Sequence, residues 1–325
     1  MRARFKFLAA GLLALGALAA SISGSATAQT SKKEAARPVA QTIQELLSKN
    51  RSPERDAQLY ASSLALFNAI EAGSEPAERR EVLAKALHEV AIGGHPDAWI
   101  DYGRCLWNGF GVTEDREAAI DAYKHAAELG SDYGAYIAAY SLYWTFERYD
   151  EAYRYAESAL KGKDPDGKVR YLLGLMAYNG RGRTRDVAES LRLHQEAAAR
   201  GNADAMFELF VYAIQGIGGD RSRAVSYLME AGKRDQPRAA ANLGALYATG
   251  QMQGIPKDLT QSIKWYQRAA DLGVGRAAAA LGAMSLRGEG MVRDPVAAEV
   301  YFKRAEELEF DVDTYLQKIG LSRKK

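Results

Sequence analysis

One break recurs along the chain at a fixed interval, and it restricts the fold more than any other feature. In "LWNGFGVTEDREAAIDAYKHAAELG" (106–130) apolar residues return every three or four positions, the mark of a helix with one buried face, yet Gly109 and Gly111 interrupt it. Glycine inside a helix costs about 1 kcal/mol relative to alanine, so the interruption reads as the end of one helix and the start of another. Shifted by about 36 residues at a time, the break returns, and self-similarity at such a period marks stacked supersecondary units. It recurs in "AYNGRGRTRDVAESLRLHQEAAARG" (177–201) and "SLRGEGMVRDPVAAEVYFKRAEELE" (285–309). It recurs with a short insertion in "YATGQMQGIPKDLTQSIKWYQRAADLG" (247–273) and a short deletion in "AIQGIGGDRSRAVSYLMEAGKRD" (213–235).

Each unit then parses as helix A, a glycine loop, helix B and a second turn. The loop glycines (109 and 111, 180 and 182, 216 and 218, 250 and 254, 288 and 290) permit positive φ between antiparallel helices. Asp115, Asp186, Asp258 and Asp294 follow, with Asp220 earlier in the shortened unit. Each suits the N-cap of helix B, where a carboxylate accepts otherwise orphaned amides. Pro295 stands where the first helical residue would be. Helix B closes on an alanine pair and a glycine, as in Ala126, Ala127 and Gly130. Helix A carries Leu-Gly at 173–174, 243–244 and 281–282, with Tyr102-Gly103 and Leu209-Phe210 in the same columns.

This pattern, Ala-x3-Leu-Gly-x2-Tyr-x2-Gly-x-Gly-Val-x2-Asp-x3-Ala-x2-Tyr-x3-Ala-Ala-x2-Gly, resembles the Sel-one-like repeat (SLR) family, a relative of the tetratricopeptide repeats. The likeness runs over six units in residues 94–309. It implies an all-α fold, a right-handed α-solenoid of antiparallel helix-turn-helix repeats, with helix A on the concave side and helix B on the convex side. Two units depart from the pattern. The second has "FERYDEA" in place of the glycine loop, closer to an ordinary tetratricopeptide turn, and the fourth sets Phe210 where the others have glycine.

The flanks read as follows. Residues 37–93 supply capping helices, at 37–50, 53–72 and 76–92, and residues 310–325 a final capping helix (310–319) and a basic tail, "LSRKK". Residues 1–28 have the organisation of a secretory signal peptide: Arg2, Arg4 and Lys6, an apolar stretch from Phe7 to about Ala20, and the small-x-small site Ala26-Thr27-Ala28. The mature chain then starts at Gln29 with a disordered lead-in over 29–36, and the expected location is periplasmic or secreted. Residues 1–28 hold three basic and no acidic residues, so the whole chain's +2 becomes about −1 after cleavage. That charge gives no reason to expect nucleic acid as a partner, which would call for a strong basic excess. The single cysteine, Cys105, forms no internal disulfide.

No constellation for catalysis, metal or cofactor stands out. The histidines (88, 95, 125, 194) lack metal-ligand spacing, and the Gly-x-Gly pairs join two helices instead of following a strand. Cys105 shares its column with Met176, Tyr212, Leu246 and Met284, and His194 shares one with Tyr123, Leu228, Tyr266 and Phe302, so both read as core. His95 reads as a solvated loop residue.

Helix A packs through its small, Leu and Tyr columns. Positions two residues further on lie about 200° round the helix, on the opposite face. In the first four units these are Ile100, Arg104 and Trp107; Tyr136, Tyr140 and Tyr143; Tyr171, Leu175 and Tyr178; Phe207, Val211 and Ile214. In the last two they shrink to Ala241, Ala245 and Ala248, then Ala279, Ala283 and Leu286. Arg104, Trp107, Tyr136, Tyr140, Tyr143, Tyr171, Tyr178 and Phe207 are therefore the candidate partner-binding residues, because aromatic side chains bring large area and few torsions to an interface. A stripe at this spacing also suits packing against the neighbouring unit, in which case it is core. Proteins resembling this family act as adaptors, regulators or inhibitors of other proteins, which implies a protein partner in the periplasm or envelope. The alternative is a binder of peptidoglycan or other cell-wall glycan, or a hydrolytic enzyme of the envelope.

Overall fold

The computed structural model describes residues 39–218 and 221–323. The expected signal peptide, cleavage site and lead-in lie outside the described residues, as does Asp220. Among the described residues there are sixteen α-helices and no β-strand. Three lead the array: α1 (Val39–Leu47), α2 (Pro53–Glu71) and α3 (Arg80–Ala91). Six A/B pairs follow: α4 (Pro96–Asn108) and α5 (Arg116–Glu128); α6 (Asp132–Trp144) and α7 (Tyr149–Leu160); α8 (Lys168–Asn179) and α9 (Val187–Ala199). Then come α10 (Ala203–Gln215) and α11 (Ala224–Lys233); α12 (Pro237–Thr249) and α13 (Leu259–Asp271); α14 (Gly275–Arg287) and α15 (Pro295–Glu307), closed by α16 (Val312–Lys318).

The chain forms two compact units, divided between Ala240 and Ala241. In the first, every helix from α1 to α11 packs on the next. In the second, α13 packs on α14, α14 on α15, and α16 on both α14 and α15. This consecutive packing of antiparallel helix pairs is the α-solenoid class of fold.

The repeated residues form a repeated set of bonds. Asp115, Asp186, Asp258 and Asp294 are the N-caps of α5, α9, α13 and α15, each carboxylate accepting from a first-turn amide. The aspartate's own N–H crosses the loop to a helix-A carbonyl: Asp115 to Leu106 at 2.9 Å, Asp186 to Ala177 at 2.8 Å, Asp258 to Tyr247 at 2.8 Å and Asp294 to Ser285 at 3.0 Å. Gly109 (φ +64°) ends α4, and Gly111 (φ +75°) lies on the first turn of α3, where a Cβ would come within 2.7 Å of the Glu81 amide nitrogen. The other expected loop glycines all have positive φ. Unit two, without a glycine loop, places Glu147 at φ +54° instead. At the ends of helix B, Gly130, Gly201 and Gly273 share φ +88°, while Asp235 and Glu309 take the same turn at +59° and +58°.

The Leu-Gly columns now have a physical cause. A Cβ on Gly103 would meet Tyr123, on Gly174 His194, on Gly244 Tyr266 and on Gly282 Phe302. Each glycine is a notch in helix A that receives a ring from helix B of the same unit. Unit four exchanges the sizes, with Phe210 in the notch column and Leu228 in the ring column, both buried. At the C-terminus Arg323 is tied down by Glu299, Asp313 and Glu306, so this part of the basic tail is fixed to α15 and α16.

Candidate functional site

What a helix A can present depends on how many sides of it are already packed. α4 touches its own helix B, α5, the preceding helix α3 and the next helix A, α6. Three neighbours leave a narrower strip open than a single packing face would, and the strip is turned by about one residue from the expected stripe. On α4 it runs through Asp97, Asp101, Arg104 and Asn108; on α6 through Tyr133, Tyr136, Tyr140 and Trp144; on α10 through Asp204, Glu208, Val211 and Gln215. These steps of three and four residues keep one helix face throughout.

The candidate residues therefore divide. Trp107 is 6% exposed, Tyr143 2% and Phe207 6%, so these three are core and not anchors. Their columns face the neighbouring repeat. Trp107 meets Phe146 edge-on, with Arg116 over its ring. Tyr143 packs edge-on against Tyr149, lies under Arg181 and accepts a hydrogen bond from Asn179 Nδ2. Phe207 lies tilted against Phe210 under Arg238. Arg104, Tyr136, Tyr140, Tyr171 and Tyr178 remain partly open. Tyr178 is half committed to packing, stacked 5.2 Å from Tyr212.

On the open strip the side chains connect. Tyr60 Oη donates to Asp101 Oδ2 at 2.8 Å; Arg104 donates to Asp101 Oδ1 at 2.8 Å and to Tyr133 Oη at 3.2 Å. Burial raises the Asp101 carboxyl above its usual range, against the pull of Arg104 and the hydrogen bond from Tyr60. From Tyr133, which is 40% exposed, a row of rings follows α6: Tyr133 to Tyr136 at 6.2 Å, Tyr136 to Tyr140 at 6.0 Å, Tyr140 to Trp144 at 6.3 Å. Burial holds the Tyr136 phenol well above its ordinary value, and Tyr140, Tyr133, Asp166 and Asp204 add to the shift. Burial also raises Tyr171, with Asp204 and Glu208 acting the same way. Both phenols thus stay neutral hydrogen-bonding groups at physiological pH. At the far end Arg238 donates to Glu208 at 2.8 Å. Every residue in this row lies in the first compact unit.

Tyr133, Trp144, Asp101, Asp204 and Glu208 also lie on the strip, outside the stripe expected from the sequence. The signal was present: Asp97 and Asp204 share one helix-A column and Asp101 and Glu208 another, and carboxylates must reach water or a partner. His95 is likewise corrected. It caps α4, its Nδ1 accepting from the Ala98 amide at 3.4 Å, and its ring packs 4.4 Å from that of Tyr60. Cys105 and His194 are buried as their columns implied; burial first, then Asp101, pushes the Cys105 thiol up to about 12, which keeps it protonated and unreactive. Among the described residues no group of three or more His, Cys, Asp or Glu is placed to hold a metal ion, and no helix is long and apolar enough to cross a membrane.

The family model for the Sel1 repeat matches residues 96–131, 168–202, 237–274 and 275–310. The stretches between, 132–167 and 203–236, hold the unit without a glycine loop and the unit with Phe210 in the notch column. No curated protein matches the chain in sequence. Among solved structures, a Sel1 repeat protein from Oxalobacter formigenes superposes with a TM-score of 0.64 at 22% identity, covering 86% of this chain and 85% of its own. A protective antigen present in uropathogenic Escherichia coli strains, displaying an SLR fold, gives 0.51 at 19% identity over 88% and 73%. At such identities the likeness is one of fold.

Proposed function

The chain belongs to the Sel1 repeat family, and from that premise we propose that it is an exported scaffold whose helix-A face in units one to four binds a protein partner. The observation that carries this reading is the linked run from Tyr60 through Asp101, Arg104 and Tyr133 into the ring row on α6, with the Arg238–Glu208 pair further along the helix-A strip. Helix-A faces line the inner surface of helical solenoids, where such proteins commonly bind. Tyrosines there bring apolar area, a hydroxyl and little torsional freedom to freeze. The N-terminal sequence supports export to the periplasm: Arg2, Arg4 and Lys6, the apolar stretch, then Ala26-Thr27-Ala28. By holding an envelope protein the chain acts as its adaptor, regulator or inhibitor.

The test is capture from detergent-solubilised envelope extract by residues 29–325, beside a Tyr140→Ala, Tyr171→Ala variant with an unchanged circular dichroism spectrum. One protein retained by the parent and lost by the variant is the expected result. Retention of peptidoglycan with no protein would replace the reading by wall binding.

A further inference from the structure

Apart from the helix-A strip, the turn between α3 and α4 and the end of α5 border a cavity of about 330 Å³, lined by Ala91, Ile92, Trp99, His125, Glu128 and Leu129 among others. Trp99 stands two residues from both Asp97 and Asp101, about 200° round α4 from the strip. Ile92 and Leu129 are 50% and 46% exposed, among the most open large apolar side chains described.

Unit one departs here from the other repeats. Trp99 lies four residues before the notch glycine and His125 two after the ring residue, and the two side chains pack at 4.8 Å. In unit three the same columns hold Arg170 and Glu196, which form an ion pair at 3.0 Å. In units five and six the helix-A column is alanine, at Ala240 and Ala278. Two rings thus stand where unit three closes an ion pair.

The charge around the cavity is one-sided. His125 Nδ1 lies 3.1 Å from Glu128 Oε2, and among the described residues no lysine or arginine is ion-paired with Glu128. Lys124, one turn earlier, is paired with Glu151 and Asp121. Glu128 is the last residue of α5, at the negative end of the helix dipole, where a carboxylate is disfavoured and a cation favoured. An indole ring attracts a cation too, and the aliphatic rim suits a methylene stem.

We propose that this cavity binds the side chain of a lysine presented by a bound protein, its stem on Ile92 and Leu129 and its ammonium between Trp99 and the Glu128 carboxylate. An ammonium against a partly open ring, combined with one exposed ion pair, contributes about tenfold to affinity.

The experiment titrates residues 29–325, labelled with 5-fluorotryptophan, with Nα-acetyl-lysine N-methylamide and follows the fluorine spectrum. The chain has four tryptophans, and Trp99→Phe identifies the Trp99 signal. That signal is expected to shift along a saturating curve. The norleucine analogue, which keeps the stem and lacks the ammonium, should bind about tenfold more weakly. Glu128→Gln should weaken the lysine probe about threefold to fivefold and leave the norleucine probe unchanged. Tyr140→Ala, on the strip, should alter neither. No shift at Trp99, equal binding of the two probes, or indifference to Glu128→Gln overturns the proposal. A response lost in Tyr140→Ala would place the binding on the strip and overturn it as well.

Discussion

Gly282→Ala puts the notch-and-ring explanation of the repeat at risk. In α14 a Cβ on Gly282 would lie 2.6 Å from Cδ1 and 2.9 Å from Cζ of Phe302, where carbon atoms normally rest about 3.5–4.0 Å apart. Phe302 is buried, so the ring has to move by about 1 Å into filled surroundings. Overpacking of this kind costs about 1–3 kcal/mol. Alanine returns about 1 kcal/mol of that through its better helix propensity. The expected net loss is therefore about 1 kcal/mol. In a Phe302→Leu background the obstruction is relieved, as it is in unit four, where Leu228 holds the ring column. Gly282→Ala should then keep its propensity gain and stabilise that background by up to about 1 kcal/mol. The same substitution changes sign. Urea unfolding followed by far-UV circular dichroism, on the four proteins of the cycle, measures this. Effects that add to within about 0.5 kcal/mol would mean that the two positions do not interact and that the notch explanation is wrong.

Three further outcomes are expected. Glu309→Gly should raise stability by up to about 1 kcal/mol, because a non-glycine residue at positive φ costs about 1–2 kcal/mol while glycine adds a smaller loss through the unfolded chain; an unchanged urea midpoint would contradict it. Asp258→Ala should cost about 1 kcal/mol through loss of the α13 cap, and Asp258→Asn much less. His194 is held down to about 4 by burial, so the fold keeps it neutral while the unfolded chain titrates near 6.5. Its contribution is complete above pH 6.5 and is lost as pH falls toward 4, by about 1.4 kcal/mol per pH unit and about 3 kcal/mol in all. His194→Tyr, which places there the residue that units one and five hold in that column, should flatten the acid limb of a stability–pH profile, and coincident slopes would refute this.

The scaffold was legible because each of its demands falls on a residue type that repeats. A left-handed turn calls for glycine, an open helix start for aspartate, and a ring-sized notch for glycine opposite an aromatic column. The last was visible only as a column, since the ring that fills it lies some twenty residues away, as Tyr123 does from Gly103. The functional face was half legible. Bulk at Tyr136, Tyr140 and Tyr171 showed where to look, but Trp107, Tyr143 and Phe207 are covered by Phe146, Arg181 and Arg238, which come from later units. A single helix treated alone has two faces, whereas in an array it has neighbours on three sides, and that rotates the open strip onto Asp101, Tyr133 and Asp204. His95 was missed for a simpler reason: imidazole is an uncommon N-cap, and its ring partner Tyr60 lies in a capping helix outside the repeat frame.

The most direct test of the helix-A face is photo-crosslinking in cells. A benzoylphenylalanine is placed at Tyr140 on the open strip or, in a separate chain, at the exposed Glu157 on helix B of the same unit. Crosslinking of one envelope protein from position 140 and none from position 157 is the predicted result. Crosslinking from position 157 alone would place the partner on the helix-B side and contradict the account.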